Sequence, residues 1–254
     1  MNIQAKIEQV RRIYGASRAP APLILDLLRV KRSDYRAECA GLRFDLQAGC
    51  HEWYTLYENV IREDYFDHGI TVREGDTVID IGSNFGSFTV LAARKVGPTG
   101  RVIAFEPNPD VCARLARNVA INGLGNVAVR NEAVAGEDGE IVLLLQKRSS
   151  LTTAYSSIDQ RVSEGTRPVT VRAAAITSVL RSVGGPVALL KIDCEGAEYD
   201  IFDGLDHASI AGVRQITMEL HTVEGRCERE IVEKLETFGF AVRHASPMLT
   251  AIRR

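Results

Sequence analysis

The chain has 254 residues, a formal net charge of −2 at pH 7 and 25% charged residues. This length predicts one domain that can bury a substantial core, with room for a small N-terminal addition. The balanced charge and the absence of a run of basic residues exclude the electropositive surface by which proteins bind nucleic acid. No apolar stretch approaches the roughly 20 residues that a membrane-spanning helix needs.

Cysteine usage and the N-terminal residues bear on the compartment. The five cysteines include no C-x-x-C pair, so the sequence indicates neither a zinc ribbon nor a disulfide framework. The stretch MNIQAKIEQVRRIYG is amphipathic and lacks the apolar core of a signal peptide. We therefore expect a reduced, cytoplasmic protein without a nucleic-acid or membrane partner, and a homo-oligomer is left open.

The first 76 residues are predicted to form an N-terminal helical cap segment, followed by a ligand-binding domain over residues 77–254. Residues 1–40 have a loose helical pattern that SRAPAP interrupts, and GLRFDL (41–46) predicts a short strand. The stretch HEWYTLYENVIREDYFDHG predicts one helix that ends at Gly69.

From Thr77 onward, apolar strand patterns alternate with helical patterns. The predicted strands are TVIDIG (77–82), RVIAFE (101–106), NVAVRNEAV (126–134), GEIVLLL (139–145), RPVTVRA (167–173), VALLKID (187–193), VRQITMEL (213–220) and a final pair around Ser246-Pro247. The predicted helices are FGSFTVLAARKV, DVCARLARNVAING, a helix from Glu198, and CEREIVEKLETF. This alternation predicts a parallel α/β sheet flanked by helices, with the last strand pair as an antiparallel hairpin.

The stretch VIDIGSNFG (78–86) runs from a predicted strand through a glycine turn into a helix. Asp80, Gly82 and Gly86 give the spacing D-x-G-x-x-x-G, which differs from the G-x-G-x-x-G of dinucleotide-binding turns. An aspartate at the strand end would repel a diphosphate and suits a ligand with a cationic group. The turn therefore argues against a nicotinamide-dependent dehydrogenase.

Acidic residues follow several strands at the edge where open α/β sheets bind their ligands. Glu106 ends the second strand of the domain, where a carboxylate can accept hydrogen bonds from a ribose diol. Glu132 follows the third strand and is placed to accept a hydrogen bond from an exocyclic adenine amine. A solvated turn is the competing interpretation of either acid.

Together these motifs resemble the FkbM-type S-adenosylmethionine-dependent methyltransferases. VIDIGSNFG, VIAFEPNP, NEAVAGEDGE, LLKIDCEGAE and ITMELH occur in the order and approximate spacing of that family, over residues 77 to about 245. The resemblance implies a Rossmann-like class I methyltransferase sheet of seven strands, one of them antiparallel. It also implies methyl transfer to an oxygen of a small molecule, often a sugar or polyketide hydroxyl. One position departs from the family, because Thr177 stands where an aspartate is frequent.

The resemblance implies S-adenosylmethionine as the cofactor and residues 77–254 as the domain that binds it. The family's cofactor-site positions carry over to Asp80, Gly82, Asn84, Gly86, Glu106, Glu132 and Asp193. Their neighbours in the same turns complete the predicted cofactor site: Ser83, Phe85, Pro107, Asn108 and Ala133.

Two strand ends offer side chains for chemistry at the methyl acceptor. By the period of two, Lys191 and Asp193 share one face of VALLKID, and Glu219 and His221 share one face of ITMELH. His221 is the predicted general base because its unperturbed pKa lies nearest neutrality. Glu219 is predicted to orient this imidazole or to pair with Lys191, and Asp193 to act in catalysis or to bind the methionine amino group. A histidine that only caps the strand end is the competing interpretation.

A cluster of Asp193, Glu219 and His221 would also suit magnesium or manganese, which prefer oxygen-rich ligand sets. Spacing in the sequence does not demonstrate such a site, so no residue is assigned as a metal ligand. Glu198 is interpreted as a first-turn acid of its helix.

Acceptor recognition is predicted for two segments, which we expect to become ordered when ligands bind. One is the aromatic helix with Trp53, Tyr54 and Tyr57, and the other is the polar stretch 146–166. Packing in a helical core accounts for the aromatic residues equally well. Two alternative functions stay open: N-methyl transfer to an amine of a related metabolite, and nucleoside binding without catalysis.

Overall fold

Two β-sheets and a β-hairpin form the framework of the computed structural model, which describes residues 3–146, 153–154 and 166–254. Within these ranges, the strands are β1 (Tyr35–Cys39), β2 (Leu42–Leu46), β3 (Thr77–Ile81), β4 (Arg101–Phe105), β5 (Val127–Arg130), β6 (Ala133–Ala135), β7 (Gly139–Gln146), β8 (Thr153–Ala154), β9 (Thr166–Ala175), β10 (Leu189–Ile192), β11 (Gln215–Glu219), β12 (Phe240–Ala245) and β13 (Met248–Arg253).

The helices of the described ranges are α1 (Ile3–Ala16), α2 (Ala21–Leu27), α3 (Glu52–Leu56), α4 (Ser87–Val96), α5 (Pro109–Ile121), α6 (Ile176–Ser182), α7 (Glu198–Asp203), α8 (His207–Ile210) and α9 (Glu228–Thr237). A π-helical turn at Tyr57–Arg62 and a 3-10 turn at Asp64–Phe66 follow α3. Among the described residues, we find no helix with the length and apolar character needed to cross a bilayer.

The larger sheet has seven strands in the order β12-β13-β11-β10-β3-β4-β5. β13 runs antiparallel to both β11 and β12, whereas the other neighbouring pairs of this sheet are parallel. This arrangement confirms the predicted α/β sheet with one antiparallel strand. The strand order reverses between β3 and β10, and in open α/β sheets this is the position at which ligands bind beyond the carboxyl ends of the strands.

Helices cover both faces of the larger sheet, and for this reason its central strands are apolar on both sides. In β3, Val78 packs in one core with α4, while Ile79 and Ile81 pack in another core with α6, α7 and α9. Asp80 points to the same face as Val78 and is fully buried there. A buried acid in an apolar strand needs a partner, and this requirement shapes the functional site.

The predicted strand over residues 126–134 is in fact two strands that belong to different sheets. β5 stays in the larger sheet, whereas β6 joins a second sheet of order β6-β9-β7-β8. The break lies at Asn131, whose Nδ2 donates to the carbonyl oxygens of Glu106 (2.9 Å) and Pro107 (3.0 Å). These bonds hold the chain across the end of β4, so the second sheet stands beside the carboxyl edge of the first.

The N-terminal segment contains a hairpin that the predicted helix over residues 1–40 does not include. Residues Tyr35–Cys39 form β1, which pairs antiparallel with β2, because Ala37 and Cys39 alternate inward with the period of a strand. The predicted strand at 41–46 is confirmed as β2. Phe44 of β2 packs edge-on against Phe85 at 6.4 Å between ring centroids, so this segment shares a core with the glycine turn.

The predicted continuous helix before Gly69 is divided into three turns. α3 gives way to the π-helical turn, and the left-handed backbone of Glu63 (φ 56°) separates that turn from the 3-10 turn. Trp53 and Tyr57 are buried in the N-terminal core, which agrees with the packing interpretation of these aromatic residues. The ordering predicted for this segment on ligand binding stays a prediction. Most of the stretch 146–166 lies outside the described residues.

Candidate active site

A cavity opens at the carboxyl ends of β3, β4 and β10 and is closed on one side by the second sheet. It is lined by Ile81, Gly82, Asn84, Phe105, Glu106, Pro107, Glu132, Ala133, Val134, Ile141, Leu143, Asp193, Cys194, Glu195 and Ala197. The cavity therefore lies where the strand order reverses, the position at which a ligand is expected in this fold.

The residues predicted to bind a cofactor fall into two groups. Those that line the cavity are Gly82, Asn84, Glu106, Pro107, Glu132, Ala133 and Asp193. Those that are buried behind it are Asp80, Ser83, Phe85, Gly86 and Asn108. The second group shapes the turns that carry the first group. Its members do not line the cavity, so this geometry indicates that they support the ligand-contacting residues without touching a ligand themselves.

The cationic partner of Asp80 is a side chain of the protein itself, Lys191. Its carboxylate pairs with Lys191 Nζ at 3.2 Å and accepts a hydrogen bond from Thr89 Oγ1 at 2.5 Å, and the side chain is fully buried. The expectation that this acid suits a cationic ligand is therefore corrected, because Lys191 already occupies the position of that cation.

The glycine turn is required by the close approach of two strand ends. Gly82 has a left-handed backbone (φ 73°), and a Cβ atom there would collide with the backbone carbonyl oxygen of Asp193. The Gly82 and Ser83 amides donate to the Phe105 carbonyl oxygen at 3.1 and 3.0 Å. The turn after β3 is thus held between the ends of β4 and β10, and a side chain at position 82 would separate them.

Glu106 is fixed in the cavity wall by two backbone amides. Its Oε2 accepts from the Asn84 amide and its Oε1 from the Asn108 amide, both at 2.9 Å, and the side chain is 5% exposed. Burial raises the pKa of Glu106 to about 7, although the two amides favour the carboxylate. Each oxygen keeps one lone pair, so the carboxylate can still accept hydrogen bonds from two neighbouring hydroxyls.

The second sheet supplies an apolar wall that the site prediction did not include. Ile141 and Leu143 of β7 line the cavity together with Val134 of β6. The signal in GEIVLLL is a continuous apolar run over residues 141–145, in which positions 141, 143 and 145 share one face of the strand by the period of two. Glu132 lies at the rim of this wall, 3.5 Å from Arg172 Nη1 of β9.

At the other end of the cavity, Lys191 and Asp193 lie on one face as predicted. Lys191 is 2% exposed, donates to the Gly82 carbonyl oxygen at 2.9 Å and lies 3.5 Å from Asp193 Oδ2. Burial alone would lower its pKa, but the charges of Asp80 and Asp193 outweigh that effect and raise it. Lys191 is therefore an internal cation that ties the glycine turn to Asp193.

Tyr65 is a residue of this end that the sequence prediction missed. Its hydroxyl donates to Asp193 Oδ2 at 2.8 Å and lies 3.5 Å from Glu219 Oε2. It comes from the 3-10 turn, which the predicted continuous helix did not anticipate. The polar sequence around it, REDYFDHG, gives no periodic signal that would place this tyrosine beside the strand ends.

His221 has a different carboxylate partner from the predicted one. Its Nδ1 lies 2.9 Å from Glu198 Oε1, whereas Glu219 faces Tyr65. Glu198 is fully buried and also accepts from the Cys194 amide at 2.9 Å, so it is more than the predicted first-turn acid. The hydrogen bond to Glu198 raises the pKa of His221 to about 9. The role of His221 as general base stays a prediction.

Possible metal ligands also group differently from the predicted cluster. Among the described residues, Asp193, Glu195 and His221 each offer a ligand atom, and these atoms lie within 4.8 Å of one another. Glu195 thus takes the place that the sequence interpretation gave to Glu219. Its position after β10, next to Asp193, brings its carboxylate to 3.6 Å from His221 Nε2.

The fold and the cavity together define an open α/β sheet of the Rossmann-like class, with a glycine turn after the first central strand and a carboxylate at the end of the second. Within this class, the family model described as "Methyltransferase FkbM domain" matches residues 80–242. The chain belongs to the FkbM methyltransferase family, and the resemblance found in its motifs is confirmed. The protein is a methyltransferase.

Several curated proteins are similar to the chain. "Methyltransferase 1" of Beauveria bassiana is 29% identical over 67% of this chain and 74% of its own length. "31-O-demethyl-FK506 methyltransferase FkbM" of Streptomyces tacrolimicus is 28% identical over 74% of this chain and 81% of its own length. "Hexuronic acid methyltransferase AglP" of Haloferax volcanii is 26% identical over 59% of this chain and 57% of its own length.

Proposed function

We propose that the protein transfers the methyl group of S-adenosylmethionine to a hydroxyl oxygen of a small molecule such as a sugar or a secondary metabolite. The observation that carries this proposal is a cavity lined by the Glu106 carboxylate after β4 and by Asp193 and Glu195 after β10. The relatives add support, because one is named for a 31-O-demethyl substrate and another for a hexuronic acid.

The cofactor half of the cavity offers contacts for each part of S-adenosylmethionine. Glu106 would accept hydrogen bonds from the two ribose hydroxyls, and Glu132 one from the adenine amine. Ile141 and Leu143 present an apolar surface to the adenine ring. The methionine end would then lie near Gly82 and Asp193, where the two central strands end.

We assign catalysis to Asp193, which lines the cavity, and to Glu219 and His221 beside it, which contact Tyr65 and Glu195 respectively. In the reaction, a lone pair of the acceptor oxygen attacks the methyl carbon, the carbon–sulfur bond breaks, and the sulfonium becomes the neutral thioether of S-adenosylhomocysteine. The hydroxyl proton must leave, and one of these side chains would accept it. Alignment of oxygen, carbon and sulfur is the protein's other task.

One observation favours a second candidate, N-methyl transfer. Three half-buried carboxylates, Asp193, Glu195 and Glu219, surround the acceptor end and would attract a cationic amine. Carbon-13 NMR of the product formed with labelled cofactor separates the two, because oxygen-bound and nitrogen-bound methyl carbons resonate at different shifts.

The cofactor assignment predicts that S-adenosylhomocysteine binds and that NAD does not. Glu106→Ala should weaken this binding by about 1–3 kcal/mol, because charge-assisted hydrogen bonds to the ribose are lost. Isothermal titration calorimetry measures both effects. Glu236→Ala, which removes an exposed acid of α9 far from the cavity, is the matched control and should bind as the wild type does. Tight NAD binding without a response to S-adenosylhomocysteine would contradict the assignment.

The pKa of Glu106 predicts how cofactor affinity depends on pH. Ribose hydroxyls donate to the carboxylate, so binding favours the charged form of a group whose pKa is about 7 in the free protein. Affinity for S-adenosylhomocysteine should therefore be full above that pH and fall below it, by at most about tenfold per pH unit. Calorimetry between pH 5.5 and about 8.5 tests this, and Glu106→Gln should flatten the profile. An equally steep profile in the variant would assign the titration to another group.

A further inference from the structure

The loops after β10 and β11 bring a mixed ligand set to one point. Asp193 and Glu195 follow β10 and His221 follows β11, and these two strands are parallel neighbours. One ligand atom of each side chain lies within 4.8 Å of the other two, and His221 Nε2 is 3.6 Å from Glu195 Oε2. All three side chains are partly exposed, so an ion can reach them from solvent.

Two of these side chains are held in place by residues outside the group. The fully buried Glu198 bonds to Nδ1 of His221, and this leaves Nε2 directed to Glu195. Tyr65 donates to Oδ2 of Asp193. A histidine whose second nitrogen is bonded to a buried carboxylate is the arrangement that orients metal-bound histidines in proteins.

The same end of the cavity carries an excess of negative charge. Among the described residues, the side chains that contact one another there are the acids Asp80, Asp193, Glu195, Glu198 and Glu219 and the cations Lys191 and, when protonated, His221. Lys191 pairs directly with Asp80 and Asp193, and it forms no ion pair with Glu195 or Glu219. A bound divalent cation would compensate this charge where the cavity meets solvent.

From this geometry we propose that Asp193, Glu195 and His221 bind one divalent cation of the Mn²⁺ type at the acceptor end of the cavity. One imidazole and two carboxylates suit Mn²⁺ better than Mg²⁺ or Ca²⁺, which prefer oxygen ligands alone. Bonds of about 2.0–2.3 Å require only small movements of the partly exposed Glu195 and His221 side chains.

The role that we assign to this cation depends on the proposed methyl transfer. Three protein ligands leave further coordination positions, which an acceptor oxygen can occupy. A cation on Nε2 also gives His221 no free nitrogen, because Nδ1 is bonded to Glu198. The inference therefore makes His221 a ligand that positions the acceptor and excludes it as the proton-accepting base.

The test is Mn²⁺ binding by the full chain after treatment with a chelator, followed by electron paramagnetic resonance of the free ion and by calorimetry. We expect one Mn²⁺ per chain. Glu195→Gln and His221→Gln should each weaken its binding by at least about tenfold, and Glu198→Gln by about 10–100-fold because the imidazole loses its orienting partner. Glu219→Gln removes a neighbouring charge but no ligand, so it should weaken Mn²⁺ binding less than Glu195→Gln does. Glu224→Gln, which removes an exposed acid of the loop after β11, is the matched control and should bind Mn²⁺ as the wild type does.

Three outcomes would overturn the inference: no Mn²⁺ binding by the wild type, binding of Mg²⁺ at least as tight as that of Mn²⁺, or loss of binding in Glu219→Gln but not in Glu195→Gln. Affinity for S-adenosylhomocysteine is measured in the same samples and reports whether each variant is folded. This second measurement also separates the two proposals. Mn²⁺ binding without S-adenosylhomocysteine binding removes the proposed function and leaves the cation site, and the reverse result removes only the cation site.

Discussion

His221→Ala is expected to lower kcat by about 10²–10⁴-fold and to leave the affinity for S-adenosylhomocysteine nearly unchanged. His221 lies at the acceptor end, where it contacts Glu195 and Glu198, and it is not part of the cavity wall that faces the cofactor. Its loss should therefore affect the methyl-transfer step more than cofactor binding. Single-turnover rates with saturating labelled S-adenosylmethionine measure the step directly.

His244→Ala is the matched control for this experiment. His244 also pairs with a glutamate, with its Nε2 3.1 Å from Glu228 Oε2, but it lies on the exposed end of β12. It should leave the single-turnover rate unaffected. If His221→Ala also leaves that rate unaffected, His221 has a structural role only, and Asp193 and Glu195 are the next side chains to test.

Lys191→Met is expected to reduce the free energy of unfolding by about 3–5 kcal/mol, because it leaves the carboxylate of Asp80 buried without its cation. Lys191 is 2% exposed and Asp80 is fully buried, so water cannot replace the lost partner. Urea denaturation followed by circular dichroism measures the change. The double variant Lys191→Met, Asp80→Asn should recover part of the loss, since it removes the uncompensated charge.

Lys95→Met is the control, because it removes a partly exposed ion pair instead of a buried one. Lys95 pairs with Glu63 at 2.7 Å, but both side chains are about a third exposed, and such pairs contribute at most about 1 kcal/mol. A loss of similar size in Lys191→Met and Lys95→Met would show that the buried network around Asp80 does not stabilise the fold.

Most of the larger sheet could be predicted from the sequence, because each strand has an apolar pattern that differs from the helical patterns beside it. TVIDI, RVIAF and LLKI are short apolar runs between helical patterns, and their burial on both faces follows from their composition. The division of residues 126–134 into β5 and β6 could not be predicted in the same way. It depends on bonds from Asn131 to carbonyl oxygens of Glu106 and Pro107, which are far from it in sequence.

In the candidate site, too, one part could be predicted from the sequence and another part could not. Parallel strands end at one edge, so the positions of Glu106 and Asp193 beside the cavity follow from the order of strands and helices. Which carboxylate reaches His221 does not follow from that order. The turn at Gly196 (φ 107°) and the burial of Glu198 at the start of α7 make Glu198 the carboxylate partner of His221. The period of two along β11 predicted Glu219 as that partner instead.

The contact between Gly82 and Asp193 has a thermodynamic consequence. Gly82 has no room for a side chain against the Asp193 carbonyl oxygen, and Lys191 bonds to Gly82 while it pairs with Asp193. A ligand that shifts the turn after β3 must therefore also shift the loop after β10. If two ligands occupy the two halves of the cavity, this contact would couple their binding, and each would change the dissociation constant of the other by the same factor.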